Sequence, residues 1–213
     1  MISVIISAAG SGSRMKLGYN KMFYKIGDET IIEKTVNIFS KSKYIDNIIV
    51  VANADEITLM ETILSNYNVT IVKGANERYA SIYNGLKKAK SEYVLIHDGA
   101  RCFITLDLIE RIAKATIKYK AAFLGVLSKD TIHLIDKDNN VNTTLNRNCL
   151  VNAQTPQGFL TKDIKQCYQK MYDTNNYDNI TDDVMVAVTY GNIKPKYIES
   201  EYYNIKVTTI EDL

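Results

Sequence analysis

Apolar residues run almost unbroken from Ile2 through Val4, Ile5 and Ile6, without a charge, and then give way to the small residues that begin at Ser7. A short β-branched run of this kind predicts a strand buried on both faces. Residues 46–52, 69–72, 93–96 and 121–127 repeat the pattern. Between them the apolar spacing changes to a helical one. Ile31, Ile32, Thr35, Val36 and Phe39 form one stripe behind Thr30, a capping residue, and predict a helix to about Ser42. Helices are likewise predicted over 55–67, along Ile82, Leu86 and Ala89, and over 106–120. Strands alternating with helices predict an α/β fold, a mostly parallel sheet covered on both faces. Right-handed crossovers then bring the loops beginning at Ala8 and Lys73 to one edge.

Past Lys129 the pattern leaves the parallel core. Residues 131–135 alternate, Asp138, Asn139 and Asn140 make a turn, and 141–145 return, so a β-hairpin is expected over about 129–147. Such an excursion serves as a dimerisation arm or as a plain surface hairpin. Residues 150–159 read as a strand ending in a stiff polar turn around Pro156. Helices follow over 161–172 and 181–190, the second capped by Thr181 or Asp182, and the chain closes with 196–199 and 204–209. No linker, repeat or low-complexity segment interrupts it, so residues 1–213 are expected to form a single domain.

At 213 residues, with 46% hydrophobic and 23% charged positions, the chain can bury a substantial core without disulfide staples. A net charge of +2, with no block of Lys and Arg, argues against a dedicated nucleic-acid binder. Cys102, Cys149 and Cys167 are odd in number and widely spaced, which indicates neither a disulfide framework nor a zinc site and fits a reducing cytoplasm. The opening apolar run has no basic segment before it, as a signal peptide would, and no stretch approaches the ~20 apolar residues of a membrane span.

Chemistry concentrates in the loops. Ala8, Ala9, Gly10 and Gly12 carry almost no side chain, so backbone N–H groups there can approach an anion, while Arg14 and then Lys21 add positive charge. The string G-x-x-x-x-G-K-[ST] of a P-loop is missing, and Met15 stands where a dinucleotide fingerprint needs its third glycine. A glycine-rich turn also serves geometry alone, so the other loops decide. Residues 73–81 combine Gly74 with polar groups at a helix start, and Ser81 lies where its hydroxyl can face a ligand. Asp98, after a buried strand and beside Gly99, stands where a magnesium ligand for a nucleotide belongs. Arg101 offers a bidentate anion contact, and His97 reads as a structural histidine.

Taken together, A-A-G-S-G-S-R-M with N-K following, G-A-N-E-R-x-x-S-I-x-N-G-L, H-D-G-A-R, Q-T-P-Q-x-F, T-D-D and N-I-K-V-T-T resemble the 2-C-methyl-D-erythritol 4-phosphate cytidylyltransferases of the non-mevalonate isoprenoid pathway. The motifs stand in the family's order and span residues 2–213. The resemblance implies a Rossmann-like nucleotidyltransferase fold, a homodimer built partly through the hairpin arm, and Mg²⁺-dependent transfer of CMP from CTP to a polyol phosphate. It places the CTP phosphates on the backbone of Ala8, Ala9, Gly10 and Gly12, the base and ribose near Gly74, Asn76 and Ser81, and the metal on Asp98 beside Gly99. Arg14, Lys21, Arg147 and Lys206 become the catalytic cations. Arg101, Thr131, Arg147, Thr155 and Lys206 become contacts of the polyol phosphate, Thr131 and Arg147 reaching across the dimer.

Three features depart from the family pattern. Cys102 replaces a proline after Arg101, Ala75 replaces a second glycine, and the family continues through a C-terminal helix beyond Asp212 and Leu213, an expected support for the strand of Lys206. A ribitol-5-phosphate cytidylyltransferase and a non-catalytic nucleotide-binding scaffold are the alternatives. The Asp98-Gly99-Ala100-Arg101 string favours methylerythritol phosphate over ribitol phosphate.

Overall fold

The computed structural model describes residues 1–10, 15, 17–177 and 179–213. Among the described residues there are eleven strands and six α-helices. They are β1 (Ile2–Ser7), β2 (Lys25–Ile26), β3 (Glu29–Thr30), α1 (Ile31–Ser40), β4 (Ile45–Ala52), α2 (Ile57–Ile63), β5 (Val69–Lys73), α3 (Arg78–Lys88), β6 (Tyr93–Asp98), α4 (Leu106–Tyr119), β7 (Ala121–Leu127), β8 (His133–Ile135), β9 (Val141–Thr144), β10 (Val151–Leu160), α5 (Thr161–Thr174), α6 (Asp183–Gly191) and β11 (Lys196–Glu199). Seven strands form one sheet in the order β11-β7-β10-β6-β1-β4-β5. All its pairings are parallel except those of β10, which runs antiparallel to both β6 and β7.

Alternation along the buried strands divides the core between the two faces. Val4, Ile6, Val50 and Leu95 pack with Val36 and Phe39 of α1 and Ile109 and Ile112 of α4. Ile5, Ile49, Val51 and Ile96 pack on the other face with Ile82 and Leu86 of α3, Tyr168 and Met171 of α5, and Val186 of α6. Sheet positions of opposite parity therefore feed opposite helical layers. The predicted helix behind Thr30 is α1, and it begins with a full capping box between Thr30 and Glu33.

The structure departs from the sequence reading at three places. Residues 55–67 are not one helix: a 3₁₀ turn over Ala54–Glu56 precedes a seven-residue α2. No turn interrupts the chain at Pro156. β10 continues through it for ten residues, with a cis Thr155–Pro156 peptide and a register shift between Ala153 and Gln157 against β7. A proline removes one ladder donor, but the pairing resumes at Gln157 on both sides, where β6 and β7 still flank the strand. Finally, Lys206 sits in an irregular segment, not in a strand, anchored where the Val207 N–H donates to the Ala100 carbonyl at 2.9 Å. The hairpin β8–β9 is separate from the main sheet, with Leu134, Ile135 and Val141 each at least half exposed.

Candidate active site

Ser7 ends β1 opposite Asp98, the last residue of β6, so the two loops that leave these strands share one edge of the sheet. A cavity of about 250 Å³ opens there. Residues 7–10, Lys21 and Met22 form one wall, residues 75–78 with Ser81 another, and Asp98, Ala100 and Lys206 complete it. The carboxyl ends of parallel strands are where α/β sheets bind their ligands.

Asp98 is the centre of this cavity. Its Oδ2 lies 2.9 Å from Lys206 Nζ and 3.8 Å from Arg101 Nε, while Oδ1 lies 3.6 Å from Arg78 Nε. Burial opposes the charge of the Asp98 carboxylate, but Arg78, Lys206 and Arg101 outweigh it and hold the group well below the usual carboxylate range. Arg78 is shared: its Nη2 donates to Asp183 Oδ2 at 2.7 Å, and Asp183 in turn accepts from the Tyr168 hydroxyl at 2.6 Å. Burial works to lower the Arg78 pKa, yet the two carboxylates raise it. Arg101 is held by the Asn204 carbonyl, 2.7 Å from Nη1, and burial lowers its pKa against the pull of Asp98.

Behind the carboxylate runs an inward-facing relay. The Asp98 N–H donates to Thr155 Oγ1 at 3.0 Å, and that hydroxyl lies 3.0 Å from His97 Nδ1. His97 Nε2 is 3.3 Å from the Arg101 carbonyl, which can only accept, so Nε2 carries the proton and Nδ1 accepts from Thr155. Full burial lowers the His97 pKa to about 3, with Asp98 opposing and Arg101 reinforcing the shift, so the ring is neutral. Thr155 was expected among the substrate contacts. Instead it is buried and both its bonds point inward, so it positions Asp98 without reaching the cavity.

Close backbone approach explains two of the glycines. A Cβ on Gly74 would stand 2.6 Å from the Ala9 Cβ, and one on Gly99 would stand 2.9 Å from the Ser7 carbonyl oxygen. Gly74 lets the loop after β5 close onto the loop after β1; Gly99 lets the chain turn beside β1. Neither lines the cavity. Ser81 bridges its own loop, accepting from the Ala75 N–H at 2.9 Å and donating to the Ala75 carbonyl at 3.1 Å, while Asn76 is exposed at the cavity wall. Asn20 Nδ2 donates to the Ala8 carbonyl and to Glu56. Lys21, buried, donates from Nζ to the Val207 carbonyl at 2.8 Å and so fastens the segment that bears Lys206.

The expected site residues thus separate into groups. Ala8, Ala9, Gly10, Lys21, Asn76, Ser81, Asp98 and Lys206 come together at the cavity, and Arg101 lies directly behind them. Gly12 and Arg14 fall outside the described residues. Thr131 and Arg147 are exposed at the base of the hairpin arm, away from this chain's cavity, with Arg147 Nη1 donating to the Lys129 carbonyl at 2.9 Å. Arg78 has no role in the sequence reading, yet it lines the cavity. It stands in the G-A-N-E-R string on the first turn of α3, and a cation at that place beside a polar loop was the available signal.

Among the described residues no three His, Cys, Asp or Glu side chains gather as a metal site. The donor set nonetheless suits a magnesium ion that arrives with phosphates, which needs only one or two protein carboxylates. Asp98 would be that carboxylate, at the cavity wall and with its side chain 12% exposed.

Comparison with known proteins bears on the whole chain. The family model described as 2-C-methyl-D-erythritol 4-phosphate cytidylyltransferase (IspD) matches residues 2–213. The curated protein of that name from Clostridium botulinum (strain Eklund 17B / Type B) is 42% identical over 218 residues, covering 100% of this chain and 96% of its own. Among solved structures, 4-diphosphocytidyl-2C-methyl-D-erythritol synthase from Anaerococcus prevotii superposes with a TM-score of 0.88 at 37% identity, covering 100% of this chain and 94% of that one. The Francisella tularensis 2-C-methyl-D-erythritol 4-phosphate cytidylyltransferase gives 0.83 at 29% identity, covering 99% and 95%.

Proposed function

The chain belongs to the 2-C-methyl-D-erythritol 4-phosphate cytidylyltransferase family, and from that premise we propose that its cavity transfers CMP from CTP to 2-C-methyl-D-erythritol 4-phosphate. The observation that carries the proposal is the convergence of Arg78, Arg101 and Lys206 on Asp98, beside the small-residue loop after β1. Three cations around one carboxylate leave an excess of positive charge suited to phosphates.

An acceptor phosphate oxygen attacks the α-phosphorus of CTP, the new P–O–P bond forms, and the bond to the β-phosphate breaks with its electron pair leaving on pyrophosphate. A phosphate monoester has a second pKa of roughly 6, so the nucleophile is already anionic at neutral pH. No general base is required, and His97 is not one, being buried, neutral and engaged at both nitrogens. The task left to the protein is to hold two polyanions in line and to neutralise charge in the transition state. The backbone of Ala8, Ala9 and Gly10 receives the triphosphate, Lys21 and Lys206 face the reacting phosphates, and Ala75 and Asn76 with Ser81 receive the nucleoside. Asp98 would hold magnesium, which when bound supplies further charge neutralisation at the phosphates.

The exposed apolar face of β8–β9 supports a homodimer in which Thr131 and Arg147 reach the partner's cavity and contact the polyol phosphate. Among the described residues no helix is long and apolar enough to cross a membrane, and the three cysteines are free, which supports a cytoplasmic site of action. The test is pyrophosphate release from CTP with 2-C-methyl-D-erythritol 4-phosphate and, in parallel, with ribitol 5-phosphate. Turnover with the first and little with the second is expected; turnover with ribitol 5-phosphate alone, or CTP binding without turnover, overturns the proposal.

A further inference from the structure

A second cavity, of about 650 Å³, opens at the other end of the sheet. There Leu160 ends β10 opposite Tyr93, the first residue of β6. The length of β6 separates this place from Asp98, roughly 17 Å at 3.3 Å per residue.

The start of α5 forms one wall of the cavity. α5 has 14 residues, and its N-cap, Leu160, has no side-chain hydrogen bond to the opening amides. The Thr161 N–H donates to the Glu92 carbonyl at 2.8 Å, and the N–H groups of residues 162–164 are left at the positive end of the helix dipole. The Thr161 side chain adds an independent sign. Thr161 is only 6% exposed and lines the cavity, yet its Oγ1 has no hydrogen-bond partner. Buried hydroxyls are nearly always paired, so an unpaired one on a cavity wall points to a group that occupies the cavity.

Charge identifies that group. Lys90, Lys120, Lys162 and Lys165 line the cavity against Glu92 and Asp163. Lys165 donates to the Ala89 carbonyl at 2.9 Å and Lys120 to the Tyr93 hydroxyl at 3.2 Å, and each ammonium has further protons to give. From these observations we infer that this cavity is a second anion site, built for a phosphoryl group and separate from the nucleotide cavity. The phosphoryl oxygens accept from the Thr161 hydroxyl, from the amides of residues 162–164 and from the lysine ammonium groups.

Amide ¹H–¹⁵N spectra of the full chain, titrated at constant ionic strength with inorganic phosphate and separately with pyrophosphate, test the inference. Saturable shifts are expected at the amides of residues 162–164, with their own midpoint, distinct from any at residues 8–10. The probe with the lower midpoint identifies the free anion or the diphosphate as the source. Thr161→Val and Lys162→Gln are each expected to weaken binding at 162–164 by about tenfold, the loss of one charge-assisted hydrogen bond, and to leave the titration at 8–10 unchanged. Lys162 is exposed, so its variant keeps the fold if Thr161→Val does not. Shifts at 162–164 that rise linearly without saturation, saturation at 8–10 alone, or a Lys162→Gln variant that binds as tightly as wild type would overturn it.

Discussion

Lys206 Nζ lies 2.9 Å from Asp98 Oδ2, joining the irregular terminal segment to the end of β6. Arg78 and Arg101 converge on the same group, so three cations already stand together around one carboxylate. On the proposed function, entering phosphates would let the cations exchange one partner for another without having to be assembled.

Asp98→Asn should therefore damage both catalysis and stability. The rate of pyrophosphate release is expected to fall about 10²–10³-fold, the size of a lost preorganised electrostatic partner. Three cations left around a neutral amide should destabilise the fold by about 3 kcal/mol, the cost of breaking a buried ion pair from one side. Steady-state kinetics and urea unfolding at pH 7 measure the two effects.

Lys21→Ala removes a cation from the cavity and also the bond to the Val207 carbonyl. Loss of activity is expected together with faster hydrogen exchange at the Val207 amide, which now donates to Ala100. Lys206→Ala, by contrast, should abolish turnover while leaving that amide protected. Equal exchange in the two variants would show that Lys21 does not fasten the segment.

Acid should weaken the fold in two windows. The His97 pKa is lowered to about 3 from an ordinary value near 6.5, so below pH 6.5 the unfolded chain binds a proton that the native state refuses. Stability contributed by the neutral ring is complete above that value and is lost as pH falls toward 3, by about 1.4 kcal/mol per pH unit. Asp98, whose pKa is depressed, contributes stability above the ordinary carboxylate range and loses it only at still lower pH. Urea midpoints measured from pH 7 to pH 4 should fall in wild type and flatten in His97→Gln.

Arg147 and Lys21 lie on different parts of the chain, and the first is away from the cavity that Lys21 lines. If Arg147 acts on the partner's site, Arg147→Ala and Lys21→Ala are each inactive alone. Refolding them together should restore activity, up to about a quarter of wild type for random pairing in a two-fold dimer. No recovery would confine Arg147 to its own chain.

Much of this was legible in the sequence because burial on both faces leaves an unmistakable apolar run, as in β1, β4 and β6, and because Thr30 and Glu33 form a capping box at short range. The loops of Ala8 and Asp98 meet at one edge by topology, because β1 and β6 run parallel and side by side. What sequence could not show depends on distant partners. Thr155 reads as a substrate contact in a polar turn until β10 is seen to pass between β6 and β7, which turns its hydroxyl toward His97. Arg78 reads as a helix-start cation until α6 supplies Asp183 beneath it. Pro156 reads as a break because local chemistry says nothing of the two neighbouring strands that hold the ladder.

A crystal structure with CTP bound is the most direct measurement of whether the cations gathered at Asp98 are the nucleotide's phosphate site. The triphosphate is expected along the backbone of Ala8, Ala9 and Gly10, with Lys206 drawn off Asp98 to within hydrogen-bond distance of a phosphate oxygen. A nucleotide bound elsewhere, or in this cavity with its phosphates turned away from Asp98 and Lys206, would contradict it.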